Sequence, residues 1–242
     1  MMKKIIKISV LVLFVVLVIN SCEKENSDNP TNGKTTAVFK SSVTYGTLTD
    51  QDGNIYKTVT IGTQTWMAEN LRTTKYRDGT AIPNVTDNTA WFALTTGAYC
   101  TYNNTTKLDS IATFGRLYNW YAVNTGKLCP TGWHVPSDAE WTTLTTYLGG
   151  ETIAGGKLKE TGTMHWSSAN TGATNETGFT ALSGGVRYYV AFINIVYTGY
   201  WWSATEDDAR NAWCRNMYDN NSFVLRDSGI KEFGLSVRCV KD

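Results

Sequence analysis

Apolar positions along the chain recur with two different periods, and each marks a kind of element. Trp141, Leu144 and Leu148 repeat at helical spacing behind Ser137, an N-cap residue with Glu140 three positions on. Asp138 and Glu140 put negative charge where a helix dipole is positive, and Gly149-Gly150 supplies the stop. Thr142, Thr143, Thr145 and Thr146 are poor helix formers. This helix must therefore be held by what its apolar face packs against. Leu117, Trp120 and Tyr121 share the same spacing and predict another helix over Phe114–Val123. Elsewhere the period is two. Ile55, Val59 and Ile61 alternate with Tyr56, Thr58 and Thr60, and a return strand over Thr65–Asn70 completes a hairpin. Strands are also predicted at Tyr200–Thr205, Ala212–Met217, Phe223–Leu225 and Gly234–Val240, the last with Leu235, Val237 and Cys239 on one face.

The N-terminus has a different pattern. Lys3, Lys4 and Lys7 precede an apolar run from Ile8 to Ile19, too short for a comfortable membrane span. Ile19-Asn20-Ser21-Cys22 resembles a bacterial lipobox, which makes residues 1–21 a lipoprotein signal peptide and Cys22 the lipidated residue. Acyl groups such as palmitate on Cys22 would be the chain's partnership with the membrane; a plain secretory signal or an uncleaved anchor is the alternative. Residues 22–45 are polar and read as a flexible tether, with room for a short strand at Ala37–Phe39. Glu23-Lys24-Glu25 resembles the surface-export tags of Bacteroidetes lipoproteins. The expected address is the cell envelope, lipid-anchored to the outer membrane and facing outward. The globular domain is expected over residues 46–242.

Composition removes several functions. A net charge of +1 in 242 residues offers no basic surface for nucleic acid. Two histidines, His134 and His165, nearly exclude a zinc site built mainly from histidine. Asp50-Gln51-Asp52-Gly53-Asn54 reads as a turn that also resembles the start of a calcium loop, without the closing Glu or flanking helices. Glu206, Asp207 and Asp208 are the remaining calcium candidates, beside the simpler reading of a solvated acidic turn. No cofactor is otherwise expected. Beyond Cys22, the exported chain carries Cys100, Cys129, Cys214 and Cys239, enough for two disulfides in three possible pairings.

Several stretches together resemble one family. They are Ile61-Gly-x-Gln-x-Trp-Met-Ala-Glu-Asn-Leu71, Gly115-Arg-Leu-Tyr-Asn-Trp120, Cys129-Pro-x-Gly-Trp-His-Val-Pro-Ser-Asp-Ala-Glu-Trp141, Gly155-Gly-Lys-Leu-Lys159, Trp201-Trp-Ser203 and Gly234-x-Ser-Val-Arg-Cys239. Their order and spacing, over roughly Asp50 to Asp242, resemble the Fibrobacter succinogenes major paralogous domain of bacterial lipoproteins. The resemblance implies an α+β, C-type-lectin-like fold, related to the formylglycine-generating branch. Two helices would flank short twisted antiparallel strands with long irregular loops, and the first and last strands would pair. It favours a Cys129–Cys239 disulfide, which leaves Cys100 and Cys214 as the second pair; free, buried thiols are the alternative. The copper-binding cysteine pair of the formylglycine-generating relatives has no counterpart here, because Cys214 and Cys239 lie far apart and neither has a second cysteine nearby. The family carries no defined activity, so the resemblance supplies a fold and an address.

The expected functional surface lies between Arg187 and Lys231. Tyr188, Tyr200, Trp202 and Tyr218 offer aromatic faces, and Arg187, Arg215, Asp219, Asn221 and Arg226 offer donors and acceptors. That palette suits sugars, whose apolar faces stack and whose hydroxyls need directed hydrogen bonds. It suits protein recognition equally. The expected function is a non-enzymatic binding or adhesion module for a glycan or protein ligand. The alternatives are a structural envelope lipoprotein without a soluble ligand and a metalloenzyme of the formylglycine-generating type.

Overall fold

The computed structural model describes residues 33–167 and 169–242; the signal peptide, Cys22 and the first part of the tether lie outside the described residues. After β1 (Gly46–Thr49) the Asp50 carboxylate accepts from the Asp52 and Asn54 N–H groups and the Asn54 amide at 2.9 Å each, and from the Tyr56 hydroxyl at 2.6 Å. Asp50-to-Asn54 is thus a self-capped turn, its carboxylate consumed by its own neighbours. It leads into the antiparallel hairpin of β2 (Ile55–Ile61) and β3 (Gln64–Met67).

The middle of the chain is irregular. It contains α1 (Asn88–Phe92), β4 (Tyr99–Cys100), α2 (Leu108–Phe114), β5 (Leu117–Tyr118), α3 (Trp120–Asn124) and β6 (Trp133–His134). Of the helix expected at Phe114–Val123 only the last part forms, as α3; Phe114 ends α2 and Leu117–Tyr118 is strand β5. Gly115 adopts φ 75°, and a Cβ there would meet Asn70 Cβ at 2.7 Å and the Leu71 carbonyl at 2.8 Å, so the chain must turn where only glycine fits. Asn119 then N-caps α3 by accepting from the Ala122 N–H. Beyond these come α4 (Asp138–Tyr147) and α5 (Glu151–Leu158), making five helices among the described residues where two were expected. The capping box of Ser137 and Glu140 is present on α4, and Trp141, Leu144 and Leu148 are buried as their spacing predicts.

The C-terminal third supplies β7 (Val186–Tyr188), β8 (Ala191–Ile193), β9 (Thr198–Glu206), β10 (Asn211–Tyr218), β11 (Leu225–Ile230) and β12 (Val240–Lys241). One sheet has the order β1-β2-β3-β12-β6, a second β11-β10-β9, and β4-β5 and β7-β8 form two-stranded ribbons; all named pairs are antiparallel. The last strand pairs with β3 and β6, not with the first strand. Phe223 and Val224 precede β11 rather than forming it. Of the strand expected at Gly234–Val240 only Val240 enters a ladder. Gly234, Leu235 and Ser236 make single bridges to Arg187, Tyr118 and Trp201 instead.

Two apolar cores lie on either side of shared strands. Adjacent strand residues point to opposite faces, and here both faces are covered. Trp202, Met67 and Cys239 enter one core, while their neighbours Trp201, Trp66 and Val240 enter the other. Leu235, Val237 and Cys239 share the first core, as expected. Trp141, Leu144 and Leu148 fasten α4 to the second.

Part of the expected tether belongs to the fold. No strand forms at Ala37–Phe39. Yet the Lys34 N–H donates to Asp109 at 2.8 Å, the Thr36 N–H to Thr113 at 3.0 Å, and the Thr36 hydroxyl bonds the buried His165 at 2.8 Å. The Val38 N–H donates to buried Glu160. Phe39 and Tyr45 then pack edge to face, with the Lys57 ammonium over both rings.

Cys129 and Cys239 form a disulfide that closes a separation of 110 residues and ties the approach to α4 to the C-terminal segment. The second pairing is not made. Cys100 and Cys214 are free, buried thiols in different apolar clusters, Cys100 beside Trp91 and Leu117, Cys214 beside Trp202 and Ala212. Burial pushes the Cys100 thiol up to about 12. Peptide mapping after alkylation checks this. Cys100 and Cys214 should react only once the protein is unfolded, and Cys129 and Cys239 only after reduction, which should cost on the order of 4–5 kcal/mol of stability. Recovery of a Cys100–Cys214 cross-linked peptide would contradict the assignment.

Candidate functional site

The β7–β8 ribbon stands against the face of β9–β10–β11 and leaves a cleft of about 460 Å³ between them. Alternation along β10 decides what this cleft sees. Cys214, Asn216 and Tyr218 face it, whereas Trp213, Arg215 and Met217 face the other way. From β9 comes Tyr200, in register with Asn216, and from β11 comes Asp227, in register with Cys214. The ribbon contributes Tyr188, Tyr189 and Ile193, and the turn after β11 contributes Phe233.

The site has an aromatic rim and a polar floor. Tyr188 lies 4.6 Å from both Tyr189 and Phe233, centroid to centroid, and Tyr189 and Phe233 are 5.4 Å apart. Tyr188 remains 42 % exposed. On the floor the Asn216 amide donates to Asp227 at 2.8 Å, and the Asn194 amide donates to the Tyr200 hydroxyl at 2.8 Å. Burial, then the neighbouring Tyr200, push the Tyr218 phenol above its usual value. Burial first, and Asp227 second, hold the Cys214 thiol well above its ordinary range, so it stays protonated. The arrangement supplies stacking surfaces and hydrogen-bonding groups. Its backbone is strained at the rim, with Tyr189 at φ 50° and Asn194 and the β-branched Val196 at φ 64°.

Three of the nine expected binding residues line this cleft: Tyr188, Tyr200 and Tyr218. Three others are framework, a correction forced by burial. Trp202 donates its indole N–H to the Tyr118 carbonyl at 2.8 Å. The Arg187 guanidinium lies over Trp91 and donates to the carbonyls of Val85, Thr86 and Asp87, organising the turn into α1. Arg215 crosses the back of the sheet to Asp138 at 2.7 Å. Arg226 joins the same carboxylate at 3.0 Å with its guanidinium over Trp213, again on the face away from the cleft. Asp219 and Asn221 belong to the turn after β10. That turn is held by the buried Lys159 ammonium, which donates to the carbonyls of Thr171, Tyr218 and Asn221 at 2.8–3.0 Å. Burial pulls that amine down to about 8. Ile193, Asn194, Asp227 and Phe233 were missed. Alternation with the register of β10 and β11 points to Asp227, but no sequence signal brings in Phe233.

The calcium candidates do not converge. Glu206 pairs with Lys231, Asp207 accepts from Ser228 at 2.6 Å, and Asp208 caps the Arg210 and Asn211 N–H groups at 2.7 and 2.8 Å. Among the described residues no group of three or more His, Cys, Asp or Glu side chains is placed to hold a metal ion.

The family model of the Fibrobacter succinogenes major domain matches residues 59–241, from within β2 to β12, and includes every residue of the cleft. The chain belongs to this family. No curated protein and no solved structure matches it. The disulfide of this Fibrobacter succinogenes major domain suits an oxidising, extracytoplasmic compartment, and no described helix is long and apolar enough to cross a membrane.

A second cavity of the domain, about 520 Å³, is lined by His134, Glu140, Cys129 and Ala204. His134 is more than a turn residue there. Its Nδ1 lies 2.6 Å from Asp242 and its Nε2 2.8 Å from Glu140, whose other oxygen accepts from Ser137. An imidazole facing two carboxylates uses both nitrogens as donors only when protonated. Burial by itself lowers the His134 pKa, but the bonds to Asp242 and Glu140 outweigh it and the net value lies above 6.5. Burial likewise raises Glu140, and the bonds from Ser137 and His134 bring it below 4.5. A raised histidine stabilises the fold fully below its unfolded pKa and stops doing so as pH rises through its folded value. A depressed carboxylate stabilises above its unfolded pKa and fails as pH falls through its folded value. This link should therefore be strongest between pH 4.5 and 6.5. Urea unfolding across pH should show wild-type stability declining above about pH 6.5, with that decline missing in His134→Gln. The same profile in both proteins would remove His134 as its source.

Proposed function

We propose that the chain is a surface-anchored lipoprotein of the cell envelope, lipidated at Cys22, whose domain is a non-enzymatic binding or adhesion module of C-type-lectin-like fold. The cleft is its ligand site, and the ligand is a glycan or a protein segment. One observation carries this reading. An open aromatic rim lies over a floor of amide, phenol and carboxylate groups in a cavity of about 460 Å³, within the ~300–1,000 Å³ typical of small-ligand sites. The long-range disulfide and the irregular, loop-borne wall over a rigid framework support the lectin-like part of the reading.

A second reading, a structural envelope lipoprotein without soluble ligand, draws on the burial of Arg187, Trp202 and Arg215, which removes much of the expected surface. One comparison separates the two. The full-length protein is applied to a broad glycan array and used in pull-downs from envelope extracts, beside Tyr188→Ala. The binding reading expects at least one ligand whose affinity falls roughly tenfold in the variant. Blank results in both formats, or binding that ignores Tyr188, favour the structural reading.

A further inference from the structure

The charges around the cleft say more about its ligand. Every cation expected to face it is committed elsewhere. Arg187 is buried on the carbonyls before α1, Arg215 and Arg226 meet Asp138 behind the sheet, and Lys231 is tied to Glu206 and the Ala209 carbonyl. The residues lining the cleft include no lysine, arginine or histidine, and one acid, Asp227. That carboxylate is held by two neutral donors, the Asn216 amide and the Ser228 N–H, each at 2.8 Å. A ligand carrying its own negative charge would be brought beside the exposed Asp227 carboxylate with no lining cation to offset it, an unfavourable arrangement that salt screens.

The polar groups also have a direction. The Tyr200 oxygen accepts from Asn194, which leaves the phenol proton free to donate into the cleft. Asn216 is buried and serves the frame of the site by donating to Asp227, whereas the exposed Asp227 retains lone pairs for incoming hydroxyls. Adjacent donors and acceptors beside the partly exposed Tyr188 ring match a molecule with hydroxyls on its edge and C–H groups on its face. A stable protein interface needs about 800 Å² from each partner, more than a concave site of this size offers.

We propose that the cleft binds an uncharged sugar residue, its apolar face on Tyr188 and its hydroxyls on Tyr200 and Asp227, and that Asp227 excludes acidic sugars. The proposal rests on the binding reading above and names its ligand class. The test uses an array of neutral, amine-bearing, uronic-acid, sialylated and sulfated oligosaccharides, probed with the full-length wild type, Tyr188→Ala and Asp227→Asn. Asparagine keeps the size of aspartate and can still accept from one of the two donors, Asn216 or the Ser228 N–H, and thermal unfolding confirms that the variant is folded. Wild type should retain neutral glycans and reject acidic ones, and Tyr188→Ala should lose the neutral ones. Asp227→Asn should raise the ratio of acidic to neutral binding by about tenfold. Acidic glycans bound by wild type, a strict preference for amine-bearing ones, or an unchanged ratio in folded Asp227→Asn would each overturn the proposal. If no glycan binds but a protein partner is captured in a Tyr188-dependent way, the sugar assignment fails and the binding reading stands. If neither binds, both fail.

Discussion

A guanidinium without access to water holds the fold together. Arg238 donates to Asn70 Oδ1 and to the Thr180 carbonyl at 2.9 and 2.8 Å, reaches the carbonyls of Phe179 and Met67, and lies 4.2 Å from the Phe179 ring centroid. Burial pulls its pKa down to about 9, which still leaves it charged at neutral pH. Such a charge persists in an interior only when its donors are met, so each carbonyl must be delivered to it. Thr180 turns to φ 54° next to this contact. Asn70 extends the network by accepting the Trp201 indole N–H at 2.9 Å and donating to the Phe114 carbonyl at 2.9 Å. One arginine thus aligns the end of β3, the end of α2, strand β9 and the loop before β7.

The C-terminal segment that carries Arg238 is consequently a seam between the two cores. Its N–H and carbonyl groups pair with Arg187, Tyr118, Tyr200, Trp202, Leu71 and Met67, and Cys239 adds the covalent tie to Cys129. Arg187 and Arg215 repeat the device on a smaller scale, using buried guanidinium groups to fix a turn and a helix start. With these arginines spent on the frame, the cleft is lined by aromatic and polar side chains and by no lysine, arginine or histidine.

How much of this was legible depends on whether a signal was local. The capping box of α4 and its apolar stripe are sequence-local, and they were read correctly. So was the shared face of Leu235, Val237 and Cys239. The motifs of the family resemblance were visible too, and the structure gives two of them a role: Asn70 and Arg238 are the hub, and so serve the frame. What failed was non-local. Trp201-Trp202 reads as one apolar run, yet the two rings enter different cores. Leu117 and Trp120 keep helical spacing, but a glycine forced by the approach of Asn70 ends α2, Leu117 joins strand β5, and only Trp120 enters a helix. The arginines looked like binding groups because no pattern reveals which carbonyls will surround a guanidinium. Cys100 and Cys214 looked like a pair because even counting cannot see that they sit in separate clusters.

The domain divides into a frame sewn by the C-terminal segment and a strained, exposed ribbon that forms one wall of the cleft. Native-state hydrogen exchange tests it most directly. The amides of Met67, Leu71, Tyr118, Trp202 and Leu235, all bonded across the seam, should exchange only through global unfolding. Those of the Tyr188–Val196 ribbon should exchange through local opening. Exchange across the seam as fast as in the ribbon would contradict the account.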